Sequence, residues 1–296
     1  NPVVAVSFAW TSAVEKVAAE FPDTQFVIVD SVVDKPNVRS VVYKEEEGSY
    51  LVGLLAGMAS TTGKVGFVGG MDIPLIRKFA CGYEQGARAA KADIQVFQNM
   101  TGTTGAAWSD PGRGGELAKA QFAKGADVVF AAAGGTGIGV YQAAKDGGKL
   151  AIGVDSNQNH LHPGTMLTSM VKRVDVAVYN LAKKTTPGVT VLGLKEGGVD
   201  YAMDEHNAKL VSADMKKKVE AARADILLGV EWDGRRLEPI AVRTGQKSFA
   251  LAVDKHTGNV RWRVARPNAV TEAYATPVVY TPASGTPQLL VSGARR

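Results

Sequence analysis

Short apolar runs alternate with amphipathic segments of helical period over the first three quarters of the chain. The apolar runs predict six strands, which read VVAVSF (3–8), QFVIVD (25–30), KVGFVGG (64–70), IQVFQNM (94–100), DVVFAAA (127–133) and LAIGVD (150–155). The intervening segments predict helices, among them TSAVEKVAAEF, SYLVGLLAGMAS, PLIRKFACGYEQGARAAK, GRGGELAKAQFAKG and IGVYQAAKDG. Strands that alternate with helices form parallel sheets covered by helices, so the pattern predicts an α/β fold.

Several predicted strands end in Gly, Asp, Asn or Ser and run directly into a helix start. In a doubly wound sheet the carboxyl ends of the strands carry the ligand-binding loops, so these residues mark the expected binding edge. Polar, Gly-rich interruptions at 61–63 and in SNQNHLHPG (156–164) predict crossovers between two lobes. We therefore expect residues 1–230 to form two lobes around a cleft.

The pattern changes near residue 230. FALAVD, NVRWRV, ATPVVY and PQLLVSG predict strands without intervening helices. The segment AVDKHTGNVRWRV (252–264) resembles the repeat of quinoprotein-like β-propellers, in which its tryptophan packs between blades. Residues 231–296 suffice for about one or two blades, whereas a propeller typically needs four to eight. We therefore expect a short all-β, propeller-like fragment with exposed strand edges.

The composition excludes several classes of protein. Hydrophobic residues make up 45% of the chain and charged residues 21%, as in folded globular domains. No run approaches the ~20 apolar residues of a membrane span. The net charge of +5 comes from Lys and Arg spread through predicted helices, and the run Lys216–Lys218 lies on a polar helix beside Glu220. We therefore expect no nucleic-acid partner.

The segment VVFAAAGGTGIGVYQAAKDGGKLAIGVD nearly matches a dinucleotide-binding fingerprint. Gly135 and Gly137 supply G-x-G, but Val140 stands where the third glycine should be, which disfavours NAD. The turn at Gly134 still presents backbone N–H groups at a helix start, where they can face an anion or a hydroxyl. A nucleotide-cofactor- or quinone-dependent oxidoreductase remains an alternative, as does an interaction module built on the free edges of the C-terminal strands.

Four further positions offer chemistry to a small polar ligand. Trp108 lies in the polar, Gly-rich loop TGAAWSDPGRG, where it either stacks on a base or sugar or packs within its loop. Asp155 ends a predicted strand, and Lys172 lies in TSMVKRVD, which is typical of a helix start. These two residues either hold one sugar or form a structural ion pair. Asp72, in GGMDIP, is a further candidate at a strand end facing the cleft.

Catalytic and metal-binding motifs are absent from the sequence. It contains no G-x-S-x-G elbow, P-loop or H-E-x-x-H pattern. The closely spaced histidines are His160 and His162, in a loop that is more typical of a solvated surface than of a metal site. We therefore expect a binding protein without enzymatic activity, metal or cofactor.

The runs FPDTQFVIVDS, YKEEEGSYLVGLLAGM and GKVGFVGGMDIPLIRKFACGYEQGARAA resemble the basic membrane protein family, the lipoprotein nucleoside receptors of ABC transporters. AAGGTGIGVYQAAK, IGVDSNQ, LTSMVKRVDVAVY and GGVDYAMDEHN continue the resemblance in order up to about residue 230. The resemblance implies a type I periplasmic-binding-protein fold whose lobes hold a nucleoside, of purine type. It also implies a membrane permease as partner, no chemistry on the ligand, and a lipid-anchored periplasmic or cell-surface location.

The resemblance also assigns roles to the candidate residues. Trp108 takes the place of an aromatic that stacks on the base, and Gly134 that of a backbone contact to the sugar. Asp155 and Lys172 match residues that hold the ribose hydroxyls. In the family, two βα units with a base-reading loop precede the strand at 3–8, after a signal peptide and a lipid-bearing Cys. Because this sequence lacks them, we expect a truncated domain with an exposed strand edge and impaired binding.

Overall fold

The computed structural model describes residues 2–183 and 186–227 and four later strands. The chain divides into two compact units, residues 1–240 and 241–296. The helices of the first unit are Thr11–Glu20 (α1), Glu45–Ala59 (α2), Pro74–Ala90 (α3), Pro111–Ala123 (α4), Gly137–Asp146 (α5), Val174–Lys183 (α6) and Ala213–Leu227 (α7). Its strands are Val3–Val6 (β1), Phe26–Val29 (β2), Val38–Tyr43 (β3), Lys64–Met71 (β4), Gln95–Gly102 (β5), Val128–Ala132 (β6), Leu150–Asp155 (β7), Met166–Lys172 (β8), Gly188–Leu192 (β9) and Val199–Tyr201 (β10). The predicted junction near residue 230 lies outside the described residues.

Two sheets organise the first unit. The smaller sheet has the strand order β1-β2-β3-β9, and all its neighbouring strands are parallel. The larger sheet has the order β10-β8-β7-β6-β4-β5, in which β10 runs antiparallel to β8 and the other neighbours are parallel. An α-helix lies between most consecutive parallel strands, so the predicted α/β architecture with parallel sheets is confirmed.

The chain passes between the two sheets at three places. They are Lys44, between β3 and α2; the connection from β8 to β9, which contains Arg173 and α6; and residues 193–198, between β9 and β10. These positions differ from the predicted crossovers. Residues 61–63 join α2 to β4, and residues 156–164 join β7 to its neighbour β8 within the larger sheet. The polar residues that suggested crossovers instead make local hydrogen bonds, such as those that Thr61 donates to Asp127.

Four strands of the first unit, β3, β8, β9 and β10, were not among the predicted ones. The largest difference concerns β8, since TSMVKRVD has the polar pattern of a helix start, whereas Lys172 ends this strand and α6 begins at Val174. β8 lies between β7 and β10 and is almost entirely buried. Its polar side chains are satisfied inside the protein, because Thr168 donates to the carbonyl of Ala202 (2.8 Å) and Ser169 to Asn159 Oδ1 (2.9 Å).

Helices α2 and α3 approach each other so closely that only glycine fits at their contact. A Cβ atom on Gly53 would lie 2.1 Å from the carbonyl oxygen of Tyr83, and one on Gly86 would lie 2.0 Å from the carbonyl oxygen of Tyr50. Backbone therefore packs directly against backbone. This contact fixes α2, whose first residue, Glu45, is buried beneath the cleft.

In the second unit, Phe249–Val253 (β11) pairs antiparallel with Val260–Ala265 (β12). Val278–Tyr280 (β13) likewise pairs with Gln288–Leu290 (β14). The turn of the propeller-like motif, residues 254–259, lies outside the described residues. The propeller resemblance therefore stays a prediction.

Candidate functional site

A cavity of about 480 Å³ opens at the carboxyl ends of strands from both sheets. The smaller sheet and its loops contribute five residues to the wall: Val6, Ser7, Phe8, Ala9 and Asp30. The larger sheet, its loops and α3 contribute the others: Met71, Leu75, Ile76, Phe79, Gly105, Trp108, Ala132, Gly134, Val154, Asp155 and Lys172. The volume lies within the roughly 300–1,000 Å³ of small-molecule sites. Because both sheets contribute, a bound ligand would contact residues of both sheets.

Four of the five predicted site residues lie in this wall. They are Trp108, Gly134, Asp155 and Lys172, which the fold brings together from separate loops and strand ends. Asp72 does not line the cavity, although it follows Met71, which does. Its carboxylate instead accepts two hydrogen bonds from Arg77, at 2.7 and 2.9 Å. The surface hydrogen bonds and ion pair with Arg77 lower the pKa of Asp72. The carboxylate of Asp72 therefore has a partner within the protein and does not need a bound ligand.

Trp108 ends a short 3₁₀ turn, Gly105–Trp108, which follows β5. Its indole lies on Gly70 of β4, where an added Cβ atom would come within 2.2 Å of the ring. The ring of Phe8, which follows β1 of the smaller sheet, is tilted by 58° against it with centroids 6.1 Å apart. Trp108 remains half-buried. The cavity wall therefore includes a flat apolar face of the kind that stacks on a planar ligand.

The loop that carries Trp108 is held by the turn that carries Gly134. Thr136 is fully buried, and its hydroxyl donates to the carbonyl of Ala107 (2.8 Å) and accepts from the backbone N–H of Asp110 (2.8 Å). Gly134 adopts φ +56°, a conformation that glycine enters at little cost. The two loops therefore position Trp108 and the Gly134 backbone on one wall.

The ammonium of Lys172 is the centre of a cluster of charges. Its Nζ donates to Asp30 Oδ1 at 2.8 Å and lies 3.9 Å from Asp155 Oδ1 and 3.8 Å from Glu45 Oε1. Asp30 follows β2 of the smaller sheet, whereas Lys172 ends β8 of the larger one. The ion pair between them therefore connects the two sheets at the cavity.

Aromatic rings also contact this ammonium. Lys172 Nζ lies 5.2 Å from the ring centroid of Tyr43 and 5.8 Å from that of Phe79, within cation–π range. Burial alone would lower the pKa of Lys172, but the carboxylates of Asp155, Asp30 and Glu45 outweigh it and raise that pKa. The residue is therefore a charged donor at neutral pH. An ammonium has three N–H donors, and among the described residues only one of them makes a hydrogen bond, so Lys172 can also donate to a ligand.

A buried amide network holds the loop that carries Asp155. Gln158 Oε1 accepts from the N–H of Val154 (2.9 Å) and from the hydroxyl of Tyr141 (2.8 Å). Asn159 is fully buried and donates to Asp204 (3.1 Å). The side chain of Asp155 remains 57% exposed at the cavity. The network therefore leaves its carboxylate available as an acceptor.

Ser7, Phe8 and Asp30 are among the wall residues that the sequence interpretation did not single out. Ser7, Asp30 and Asp155 have φ of 120°, 69° and 64°, and they are the non-glycine residues with positive φ in the described part of the chain. Such conformations concentrate at functional sites. A sequence signal for Asp30 exists, because QFVIVD ends in Asp just as LAIGVD does. Phe8 likewise ends a predicted strand.

The arrangement suits a neutral ligand that has a flat apolar part and several hydroxyl groups. Carboxylates accept hydrogen bonds from hydroxyls, the ammonium donates to them, and Trp108 offers an apolar face. Within the described residues, no group of three or more His, Cys, Asp or Glu could hold a metal ion. No helix among these residues has the length and apolar character required to cross a membrane.

Comparison with known proteins identifies the family. The model of the Bmp family, described as ABC transporter substrate-binding protein PnrA-like, matches residues 1–231. The chain is 35% identical over 248 residues to the ABC transporter nucleoside-binding protein BmpA of Lactococcus lactis subsp. cremoris (strain MG1363), covering 76% of this chain and 68% of that protein. It is 36% identical over 219 residues to Basic membrane protein D of Borreliella burgdorferi (strain JD1), covering 70% of this chain and 63% of that protein. This chain thus spans about two thirds of the length of these two relatives.

A solved structure has the same fold. The crystal structure of an ABC transporter system solute-binding protein from Aeropyrum pernix K1 has a TM-score of 0.69 and 28% sequence identity, and the match covers 76% of this chain and 75% of that one. The resemblance noted in the sequence is thereby confirmed at the level of the family. The chain belongs to the Bmp family of PnrA-like ABC transporter substrate-binding proteins.

Proposed function

We propose that this protein captures a nucleoside, of purine type, in the cavity between its two lobes and does not change it chemically. The observation that carries the proposal is the presence, in one cavity, of the Trp108 ring and the Lys172–Asp155–Asp30 cluster. A base matches the flat apolar ring, and a ribose matches the charged donors and acceptors. The printed name of the Lactococcus relative, a nucleoside-binding protein, supports the same ligand class.

The charges in the wall favour a nucleoside over a nucleotide. The ionisable lining residues are Asp30, Asp155 and Lys172, two negative charges and one positive, with a net charge of −1. A phosphate would add negative charge next to these carboxylates, which repel it. The ammonium of Lys172, the positive charge in the wall, already donates a hydrogen bond to Asp30. The ligand should therefore be neutral.

Capture is proposed to serve transport. Substrate-binding proteins of ABC transporters deliver their ligand to a membrane permease, and the family match supports that partner for this chain. We propose a lipid-anchored location at the periplasmic or outer cell surface, as the family resemblance implies.

The dinucleotide-dependent alternative has less support. Val140, which replaces the third glycine of the fingerprint, is fully buried in α5 and packs in the core with Leu117 and Tyr141. The Val140 side chain fills the position at which the fingerprint requires a glycine for close packing of the helix against the strand.

Isothermal titration calorimetry of the whole chain with inosine, adenosine, cytidine and inosine monophosphate tests the proposal. We expect inosine and adenosine to bind, cytidine to bind more weakly, and the monophosphate to bind weakest. Asp155→Ala should weaken inosine binding by about 10- to 100-fold, the loss of one or two hydrogen bonds to a charged group.

Asp72→Ala is the matched control, since it removes a carboxylate next to the cavity wall that does not line it. It should bind inosine like the wild type. If no nucleoside binds, the proposed function is wrong. If the monophosphate binds as well as inosine, the charge argument fails.

A further inference from the structure

Glu45 is a buried carboxylate directly behind the cavity. It is the first residue of α2, and its side chain is 1% exposed. Its Oε1 lies 3.8 Å from Lys172 Nζ and has no hydrogen-bond partner, while its Oε2 accepts from Lys78 Nζ at 3.4 Å. Glu45 does not line the cavity, so it can act on a ligand only through Lys172.

The charges around Lys172 are not balanced. Three carboxylates, those of Asp30, Asp155 and Glu45, lie within 4 Å of its ammonium. With Lys78 on the far side of Glu45, the five groups carry a net charge of −1 when all are ionised. A proton on Glu45 makes the cluster neutral.

Several elements present charged or titratable groups to Glu45. Other elements contribute Lys172 of β8, Lys78 of α3, Asp30 after β2 and Tyr43 of β3. The start of α2 itself contributes Lys44, Glu46 and Glu47. Burial raises the pKa of Glu45 to about 7, although Lys172 and Lys78 oppose the shift. Both protonation states are thus accessible near neutral pH. Tyr43 stays neutral, because burial and the nearby carboxylates raise its pKa.

A ligand would change this balance. Asp155 is 57% exposed at the cavity wall, so water reaches its carboxylate, although partial burial already raises its pKa. A neutral ligand displaces that water, and excess negative charge then becomes more costly. An ionised Glu45 also attracts the ammonium that the ligand needs. Both effects favour the bound state with a proton on Glu45.

We propose that Glu45 is a positioning residue for Lys172 and takes up a proton when ligand binds, so that capture is tighter at lower pH. The inference rests on the proposed function, because it requires a neutral ligand in the cavity. Proton uptake at one group changes Kd by at most about tenfold per pH unit. We expect Kd to rise about three- to tenfold between pH 6 and pH 8.

Calorimetry with inosine in two buffers of different ionisation enthalpy measures the protons taken up on binding. The wild type should take up a fraction of a proton near pH 7, whereas Glu45→Gln should take up none and should show a Kd independent of pH. Glu46→Gln is the matched control, since it removes the adjacent carboxylate of the same helix, which makes no ion pair with Lys172. It should keep the uptake of the wild type.

Binding without proton uptake, or uptake that persists in Glu45→Gln, overturns the inference and leaves the proposed function intact. If no nucleoside binds, the proposed function fails, and a carboxyl-carbon NMR titration of the ligand-free protein tests the coupling between Glu45 and Lys172 on which the inference depends. A Glu45 signal that titrates near neutral pH, and at higher pH in Lys172→Met, supports coupling between the two groups. A signal that titrates in the ordinary glutamate range overturns it.

Discussion

The position of the Trp108 ring depends on the absence of a side chain at Gly70. An ideal Cβ atom on Gly70 would lie 2.2, 2.5 and 2.7 Å from three carbon atoms of the indole. Carbon atoms pack at about 3.5 Å or more, so Gly70→Ala must displace the ring by about 1.3 Å. The substitution therefore moves the proposed stacking surface without removing any ligand-binding group.

The expected loss of affinity follows from the role assigned to Trp108. Stacking of a base on an aromatic side chain contributes about 1–3 kcal/mol, which corresponds to about 5- to 150-fold in Kd. Gly70→Ala should therefore weaken inosine binding within this range. Overpacking of this kind typically costs ~1–3 kcal/mol of folding stability.

Calorimetry with inosine measures the affinity, and a thermal melt followed by circular dichroism confirms that the variant is folded. Gly102→Ala is the matched control, because its added Cβ atom would lie 3.5 Å from Ala107 Cβ, an ordinary contact near the same loop. Trp108→Ala removes the ring, so Gly70→Ala should cause no further loss in that background. If Gly70→Ala binds like the wild type, or weakens binding equally without Trp108, the reasoning is refuted.

Three further predictions concern stability, each measured by urea denaturation. Asn159→Leu should cost about 1–3 kcal/mol, because it leaves the buried partners of that amide unsatisfied; an unchanged midpoint would contradict the network. Gly53→Ala should destabilise strongly or prevent folding, since its Cβ atom would overlap the carbonyl of Tyr83, whereas Gly105→Ala, with open space around it, serves as control. The pKa of Glu45 is about 7 in the folded protein and 4.5 ordinarily. Ionisation of Glu45 therefore lowers the free energy of unfolding of the wild type, with no effect below pH 4.5 and the full effect above pH 7. The stability of Glu45→Gln relative to the wild type should therefore rise by about 3 kcal/mol from pH 4.5 to pH 8, and a constant difference would contradict the raised pKa.

Much of the larger sheet could be predicted because most of its strands are short apolar runs followed by helices. β4, β6 and β7 are largely buried, each contains Val, and the hydrophobic pattern marks them clearly. β8 escaped because Thr168, Ser169 and Lys172 make a buried strand look amphipathic. Its polar groups find their partners in residues from distant parts of the chain, such as Ala202 and Asp30, which the local pattern does not reveal.

The site was predictable in part for the same reason. Asp155 and Asp30 both end apolar strands, but only the fold shows that Asp30 meets Lys172, 142 residues further along the chain. Glu45 stands in a run of three glutamates at a helix start, a pattern typical of a solvated surface. Its burial follows from the packing of α2 against α3 and β8, so it is a property of tertiary structure.

The most direct test of the account is a crystal structure of the chain with bound inosine. We expect the base to lie against the Trp108 ring, with ribose hydroxyls within about 3.2 Å of the Asp155 carboxylate and the Lys172 ammonium. Inosine bound elsewhere on the protein, or in the cavity without contact to these three side chains, would contradict it.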